Sequence, residues 1–337
     1  MKRVLLLSSL AVAGRAQQTA MDPAGAPARS IAHLGLFFLA LLTAIYIVVI
    51  TFALLPLMRR HRGIDQEPLE GNHRPSDATE TRMAKRIGLA TVATILILFG
   101  LITVSVSTSK ATSGSPPRPD SLVVEITATQ WWWSVRYANN DASRIVMAAN
   151  EMHIPVGRPV MIRGTSTDVI HSFWVPNLQG KRDLIPSRTN IDWIQADRPG
   201  RYRGQCAEFC GLQHAHMALW VVAEPPDRFE EWYSRQLQPA ADPADPVRQR
   251  GQQVFMDYAC VLCHTIQGTQ AAGQVGPDLT HLASRLTIAA GTLPNNKGNL
   301  AGWITDPQSI KPGNHMATVP IRPEDMQPLL EYLESLQ

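Results

Sequence analysis

Twelve residues, Cys206-Ala-Glu-Phe-Cys-Gly-Leu-Gln-His-Ala-His-Met217, gather two thiols four positions apart, the imidazole of His214 and the thioether of Met217. Soft, polarisable donors of this kind suit copper, zinc or iron–sulfur rather than hard cations. With a second histidine from elsewhere in the chain they would bind copper for electron transfer, because Cys and Met favour Cu(I) while imidazole also holds Cu(II). His171, in Asp168-Val-Ile-His-Ser-Phe-Trp174, is the candidate for that ligand. A disulfide between Cys206 and Cys210 is the alternative, and an extracytoplasmic location would permit it. His216, between two of the donors, reads as a support for the ligands rather than as one of them.

A second cluster, Cys260-Val-Leu-Cys-His264, has the C-x-x-C-H spacing of covalent c-type haem attachment. Two thiols three apart on one helical turn reach both haem vinyls, and the adjacent His264 lies under the iron. A redox C-x-x-C pair is the competing reading. Three flanking features favour haem: an amphipathic helix predicted over Val247 to Tyr258, the Gly276-Pro-Asp-Leu279 loop, and a C-terminal helix over Pro323 to Leu336 with Leu329, Leu330, Leu333 and Leu336 on one face. The histidines at 33, 61, 153 and 281 have no such company and read as surface or core residues. With both cysteine pairs claimed by cofactor chemistry, none is left for a disulfide framework.

These clusters need elements to hold them. The 337 residues, 45% hydrophobic and 18% charged, suffice for two or three domains. A net charge of +3, with no Lys/Arg stripe, argues against nucleic acid as a partner. A mean hydropathy of -0.07 conceals segregation, since nearly all long apolar runs precede residue 110. Residues 1–20 read as a signal peptide: Lys2 and Arg3, an apolar stretch from Val4 to Gly14, then Ala-Gly-Arg-Ala; an unprocessed tail is the alternative. Leu34 to Met58 and Ile87 to Ser109 are free of charge, and a spanning helix needs about 20 such residues. Arg59, Arg60 and Arg62 on one side, and Arg82, Lys85 and Arg86 on the other, flank the loop between them, placing it in the cytoplasm and both ends of the chain outside. Lys110 to Asp120 is a linker.

From Ser121 the pattern becomes that of short strands. Val123 to Thr129, Arg144 to Met147, Pro159 to Arg163, Ile191 to Ile194 and Leu219 to Val222, separated by Gly, Pro, Asn and Asp, predict a β-sandwich or barrel. Loops at one end of such a scaffold can pre-set ligand geometry. Three successive indoles, Trp131 to Trp133, alternate faces on a strand, so at least one should lie exposed or at an interface. Pro225 to Leu237 predicts an amphipathic helix capped by Asp227, with Phe229, Trp232, Tyr233 and Leu237 on its packed face. Gln238 to Pro246 breaks every regular pattern and reads as an interdomain linker, completing a helix-and-linker segment at 224–243.

The 206–217 loop resembles, residue for residue, the C-x-E-x-C-x-x-x-H-x-x-M pattern of cytochrome c oxidase subunit II. The resemblance extends to Gln130-Trp-Trp-Trp133, Asn150-Glu-Met-His-Ile-Pro-Val156, Asp168 to Trp174 and Leu184-Ile-Pro-Ser-Arg-Thr-Asn190. It implies a transmembrane hairpin at 31–110 and a cupredoxin domain at 120–223 with a dinuclear copper centre. In that centre Cys206 and Cys210 bridge, His171 and His214 bind one copper each, Met217 caps one, and Glu208 contributes its backbone carbonyl. The Glu208 carboxylate would help hold Mg²⁺ against the catalytic partner. Trp131 matches the position through which electrons arrive from a cytochrome, although Trp132 departs from the commoner Trp-Tyr-Trp. The family often has a carboxylate at a proton channel near the start of the second span, where Glu80 is the nearby acid.

Residues 244–337 resemble a class I cytochrome c domain, which implies a second axial ligand from the loop before the last helix. Met316, in Lys311-Pro-Gly-Asn-His-Met316, matches it, and a thioether opposite histidine raises the haem potential. Ala317 stands where the family often has Pro, His315 is a competing nitrogen ligand, and Met326 is a methionine inside the final helix. The same resemblance has the Pro277 carbonyl accept from His264.

The whole is similar to subunit II of a haem–copper terminal oxidase fused to a cytochrome c domain, the caa3 arrangement: a transmembrane hairpin, an all-β cupredoxin sandwich and an all-α cytochrome domain. The implied role is to pass electrons from a donor, such as a cytochrome c or a cytochrome bc-type complex, through its own haem and copper pair to the oxygen-reducing subunit I of a proton-translocating complex. Subunit III and membrane lipid are further implied partners. The implied location is a bacterial cell membrane, with both soluble domains on the periplasmic side. A copper-containing nitric oxide reductase would use the same loop. A membrane-anchored copper-delivery protein would predict a βαβ pattern and no c-type haem. A shuttle with no oxidase partner would have little use for a two-span anchor.

Overall fold

The structure, a computed structural model, describes residues 18–59, 77–114 and 121–337. Most of the expected signal segment, and His61, lie outside the described residues. The chain forms two compact units, residues 30–112 and residues 1–29 with 113–337.

The first unit consists of helices α1, Ala26–Arg59, and α2, Asp77–Thr112. Both are long and apolar enough to cross a membrane. Each runs beyond the uncharged core that its sequence marks, because the Ala, Ser and Thr residues at the ends favour or tolerate helix outside an apolar layer. The expected linker therefore begins after Thr112 rather than at Lys110, and Glu80 lies in the first turn of α2.

The second unit opens with residues 18–25 laid against a β-sandwich. Ala24 N donates to Asn177 O and Asp197 N to Ala24 O, both at 2.7 Å. A Cβ on Gly25 would come within 2.1 Å of Gln195 O, so only glycine permits that approach. Ten strands follow: β1 Leu122–Thr129, β2 Trp132–Ala138, β3 Val146–Ala149, β4 Glu151–Pro155, β5 Val160–Ser166, β6 His171–Trp174, β7 Arg182–Leu184, β8 Asn190–Ile194, β9 Gly200–Cys206 and β10 Ala218–Glu224. They build two five-stranded sheets, ordered β3-β2-β1-β5-β8 and β4-β10-β9-β6-β7. β1, β2 and β9 alternate in burial with period two, as half-buried strands do. Their inward residues, among them Ile126, Trp133, Val135 and Tyr202, meet the other sheet in one apolar core.

The predicted strand at 144–147 starts instead at Val146. Asp141 caps a 3₁₀ turn over Ala142–Arg144 by accepting from Ser143 N, and that local bond outcompetes extension. Helix α3, Pro226–Gln236, has Pro225 rather than Asp227 at its N-cap. Two consecutive prolines fix the entering backbone, and Asp227 falls in the first turn, where its charge suits the helix dipole. Phe229, Trp232 and Tyr233 are buried as the aromatic stripe requires.

The C-terminal region is helical: α4 Pro246–Asp257, α5 Cys260–Cys263, α6 Lys297–Thr305, α7 Pro307–Ile310 and α8 Pro323–Leu333, with a two-residue strand pair at 287–288 and 293–294. Asp245 caps α4 by accepting from Val247 N and Arg248 N. A Cβ on Gly251 would sit 2.0 Å from Pro328 O, so glycine lets α4 and α8 pack backbone to backbone. Leu329, Leu330, Leu333 and Leu336 close a second apolar core with Val254 and Phe255.

Candidate copper and haem sites

The twelve-residue loop joins β9 to β10. Cys206 ends β9, and its register with Phe173 of β6 brings the start of β6, His171, to the same end of the sheet. Two backbone bonds close the loop base, Cys206 N to Met217 O and Ala207 N to Ser172 O, both at 2.9 Å. Gly211 turns the chain at φ +108°, and a Cβ there would approach Trp131 Cζ2 to 3.1 Å. A 3₁₀ turn then delivers His214, and Met217 is fully buried.

The result is a tight cluster of donor atoms. Cys206 Sγ lies 3.7 Å from Cys210 Sγ and 3.8 Å from His171 Nδ1. Cys210 Sγ lies 3.6 Å from His214 Nδ1 and 3.9 Å from Met217 Sδ, while Glu208 O is 3.2 Å from Cys206 Sγ. Both thiols are free, which sets the disulfide alternative aside in this structure. Metal–sulfur bonds of about 2.3 Å let one ion touch two sulfurs up to about 4.6 Å apart, so this spacing fits bridged metal. The hydrogen bond between the two sulfurs holds the Cys206 thiol well below the ordinary range, with His171 adding to it, and pushes that of Cys210 up.

Around the donors stands a supporting layer. His171 Nε2 meets Asp168 Oδ1 at 2.8 Å, leaving Nδ1 toward the sulfurs. His216 Nδ1 bonds Gln213 Oε1 at 2.9 Å, a contact that occupies it away from the sulfurs. Trp131 is buried, and its Nε1 donates to Cys210 O at 2.9 Å. Of the other indoles, Trp133 is fully buried and Trp132 half-buried. The Glu208 carboxylate is exposed.

The second cluster lines a cavity of about 310 Å³, whose walls include Cys260, Cys263, His264, Leu300, Trp303 and Met316. His264 Nδ1 donates to Pro277 O at 2.7 Å, which fixes the ring and frees Nε2. Burial pushes His264 below its ordinary pKa, so the imidazole is neutral, as a ligand must be. A Cβ on Gly276 would lie 2.7 Å from His264 Cε1, so glycine is what lets the loop pack on the ring. Met316 is held by its own N donating to Asn314 Oδ1 at 2.8 Å and by Gln308 Nε2 donating to Met316 O at 3.0 Å. A largely apolar cavity with a free imidazole nitrogen, two free thiols and a thioether fits a covalently attached haem. His315 faces Trp131, with ring centroids 6.0 Å apart.

Several participants escaped the sequence reading. Asp168 sat in a quoted motif without a role. Lys311, buried to 3% exposure, donates through Nζ to Trp131 O at 2.8 Å, and nothing in its local sequence announces burial. His153, read as an isolated histidine, lies between Glu151 and Glu224 at 3.0 and 2.8 Å. Glutamates two residues before it in sequence, and across the sheet, were the available signal.

Residues 139–224 match the family described as cytochrome c oxidase subunit II, periplasmic domain, and residues 248–337 match cytochrome c. The cytochrome c oxidase subunit 2 of Alkalihalophilus pseudofirmus is 35% identical over 333 residues, covering 96% of this chain and 92% of that one. That of Bacillus sp. strain PS3 is 30% identical, over 83% of this chain and 80% of that one. Among solved structures, the periplasmic domain of subunit II of cytochrome oxidase of Bradyrhizobium japonicum is 30% identical, covers 36% of this chain and 95% of that one, and gives a TM-score of 0.33. The near full-length match in both directions, over a chain that joins a copper-loop sandwich to a haem-binding helical domain, places this protein in the cytochrome c oxidase subunit 2 family, in the caa3-type arrangement.

Proposed function

We propose that the chain takes electrons from an external donor at its C-terminal domain and delivers them through Trp131 to the 206–217 loop, and from there to the oxygen-reducing subunit of a proton-translocating oxidase. The carrying observation is the contact between the two sites: Trp131 hydrogen-bonds Cys210 O on one side and borders the haem cavity on the other. Bound in these sites, a haem iron and a copper pair supply the one-electron redox chemistry.

The chain's own residues divide the work. Cys206 and Cys210 would hold both coppers, with His171, His214, Met217 and the Glu208 carbonyl as the further ligands; the 3.6–3.9 Å spacing among sulfurs and nitrogens supports this set. Cys260 and Cys263 would attach the haem, and His264 and Met316 would hold its iron; all four side chains line the one cavity. Burial of Trp131, Cys206, Cys210 and Met217 excludes water from the path. The exposed Glu208 carboxylate is free to hold Mg²⁺ at the junction with the catalytic subunit. Helices α1 and α2 anchor the chain in the bacterial cell membrane, and the basic flanks of their connection orient both soluble domains to the periplasm.

Electron paramagnetic resonance of the copper-loaded chain tests the central reading. One electron shared over two coppers splits the signal into a multiplet of both nuclei, and a mononuclear copper spectrum would refute it. A pyridine haemochrome on the denatured chain tests the haem: covalent attachment keeps the absorbance with the protein through acid–acetone extraction, and loss of colour would refute it.

A further inference from the structure

The copper-bearing sandwich and the haem-bearing helical region meet through the segment that carries Met316. Lys311 begins that segment, and its ammonium reaches across to Trp131 O at 2.8 Å and also meets Ala289 O at 3.3 Å. One residue on, Pro312 O accepts from Gln213 Nε2 at 2.7 Å, and Gln213 itself is buried next to His214. Gly313 packs so closely that an added Cβ would meet Leu212 Cδ2 at 3.0 Å. Within the segment, Asn314 Nδ2 donates to Lys311 O at 2.7 Å and Asn314 Oδ1 accepts from Met316 N at 2.8 Å. A chain of short bonds therefore runs from the Trp131 carbonyl through Lys311 and Asn314 to Met316.

Desolvating an ammonium is costly, and burial pushes Lys311 down to about 7 from an ordinary value of 10.5. A leucine or methionine would fill the same space without that penalty, so packing alone does not account for a lysine. Its Nζ faces two backbone carbonyl dipoles, Trp131 O and Ala289 O.

We infer that Lys311 is a positioning residue for electron transfer within the chain: its ammonium on the Trp131 carbonyl, backed by Gln213 on Pro312, fastens the Met316 segment to the copper domain and fixes the gap electrons cross. The inference rests on the functional reading above, in which Trp131 receives those electrons. Transfer falls steeply with distance and orientation, so a segment free to lift away slows it even with both sites intact.

The test compares full-length wild type with Lys311→Met, Lys311→Gln and Gln213→Ala, each loaded with haem and copper. Flash photoreduction gives the haem-to-copper rate, and hydrogen–deuterium exchange of residues 308–316 gives the opening equilibrium of the segment. At about pH 6, where the lysine carries its charge, losing a charge-assisted bond shifts that equilibrium by about tenfold or more. Lys311→Met should exchange about tenfold faster over 308–316 and transfer correspondingly more slowly. The haem potential and the exchange of the sandwich strands should stay as in wild type. Lys311→Gln keeps a neutral donor and should recover part of both, and Gln213→Ala should reproduce the defect from the other side. Unchanged rate and exchange in Lys311→Met, with wild type transferring normally, overturn the inference alone. A shifted haem potential or a general loss of protection overturns it in favour of a structural role. Absence of transfer in wild type overturns the functional reading and the inference with it.

Discussion

Asp168 shows how one side chain serves two sites. Its Oδ1 meets His171 Nε2 at 2.8 Å, and its Oδ2 accepts from Gln130 N at 2.6 Å, next to Trp131. Burial alone would raise its pKa, but the Gln130 amide and His171 outweigh it and hold the carboxyl below the ordinary range. A carboxylate on the far nitrogen fixes the ring that binds metal and raises its basicity, and removing such a partner typically lowers metal affinity about 10–100-fold. Asp168→Asn should therefore lose copper by that factor in competition with a chelator, while the haem spectrum stays unchanged; equal affinity would mean that strand packing alone holds His171. The donor cluster of the proposed copper site was legible because most of its residues fall within twelve positions, where local spacing is informative. Asp168 and Lys311 were not, since their roles come from contacts made only after the sheets pair and the second domain docks.

Among the elements, β4 carries a device that its sequence conceals. His153 lies between Glu151 and Glu224, its ring stacked on Trp232 of α3 at 4.2 Å, and Glu151 Oε2 accepts from Leu286 N of the helical region at 2.8 Å. Strand β4 is buried along its whole length, without the alternation that marks half-exposed strands, because α3 covers its outer side. β4 was missing from the predicted strands, as were the short β6 and β7 and the alternating β2 and β9, while β1, β8 and β10 were found; β-branched runs such as Val123-Val124 and Val221-Val222 marked the strands more than burial alternation did. Burial lowers the pKa of His153, but the hydrogen bonds and charges of the two glutamates outweigh it and raise it above 6.5. A group with a raised folded-state pKa contributes stability that is complete below its unfolded value and is lost as pH rises through the folded one. The sandwich should accordingly be most stable below pH 6.5 with respect to this group and weaken above it. Thermal unfolding across a pH series checks this. His153→Gln should cost about 2–3 kcal/mol at low pH and flatten the slope; an unchanged slope would show that His153 is not its source.

At the scale of the whole molecule, the chain makes two redox sites neighbours by covalent connection. Helix α3 ends at Gln236 and α4 begins at Pro246; between them the backbone forms no regular element, tied at Ala240 N to Gln267 O at 2.9 Å. The proline-rich composition of this stretch was readable as a domain boundary, but the docking face beyond it was not, since it is assembled from Trp131, Glu151 and the 213–218 stretch, which meet partners between residues 286 and 312. Ala218 N, for example, donates to Ala290 O at 2.9 Å. A short tether holds a partner at an effective concentration of the order of millimolar, so docking stays intramolecular whatever the protein concentration. A protease site inserted between Ala241 and Ala244 separates this contribution from that of the interface. After cleavage at micromolar protein, far below that effective concentration, haem-to-copper transfer should change from a concentration-independent rate to one that falls on dilution. If the rate stays constant on dilution, the contacts of Lys311, Gln213 and Glu151 hold the two parts together unaided, and the linker's role is confined to assembly.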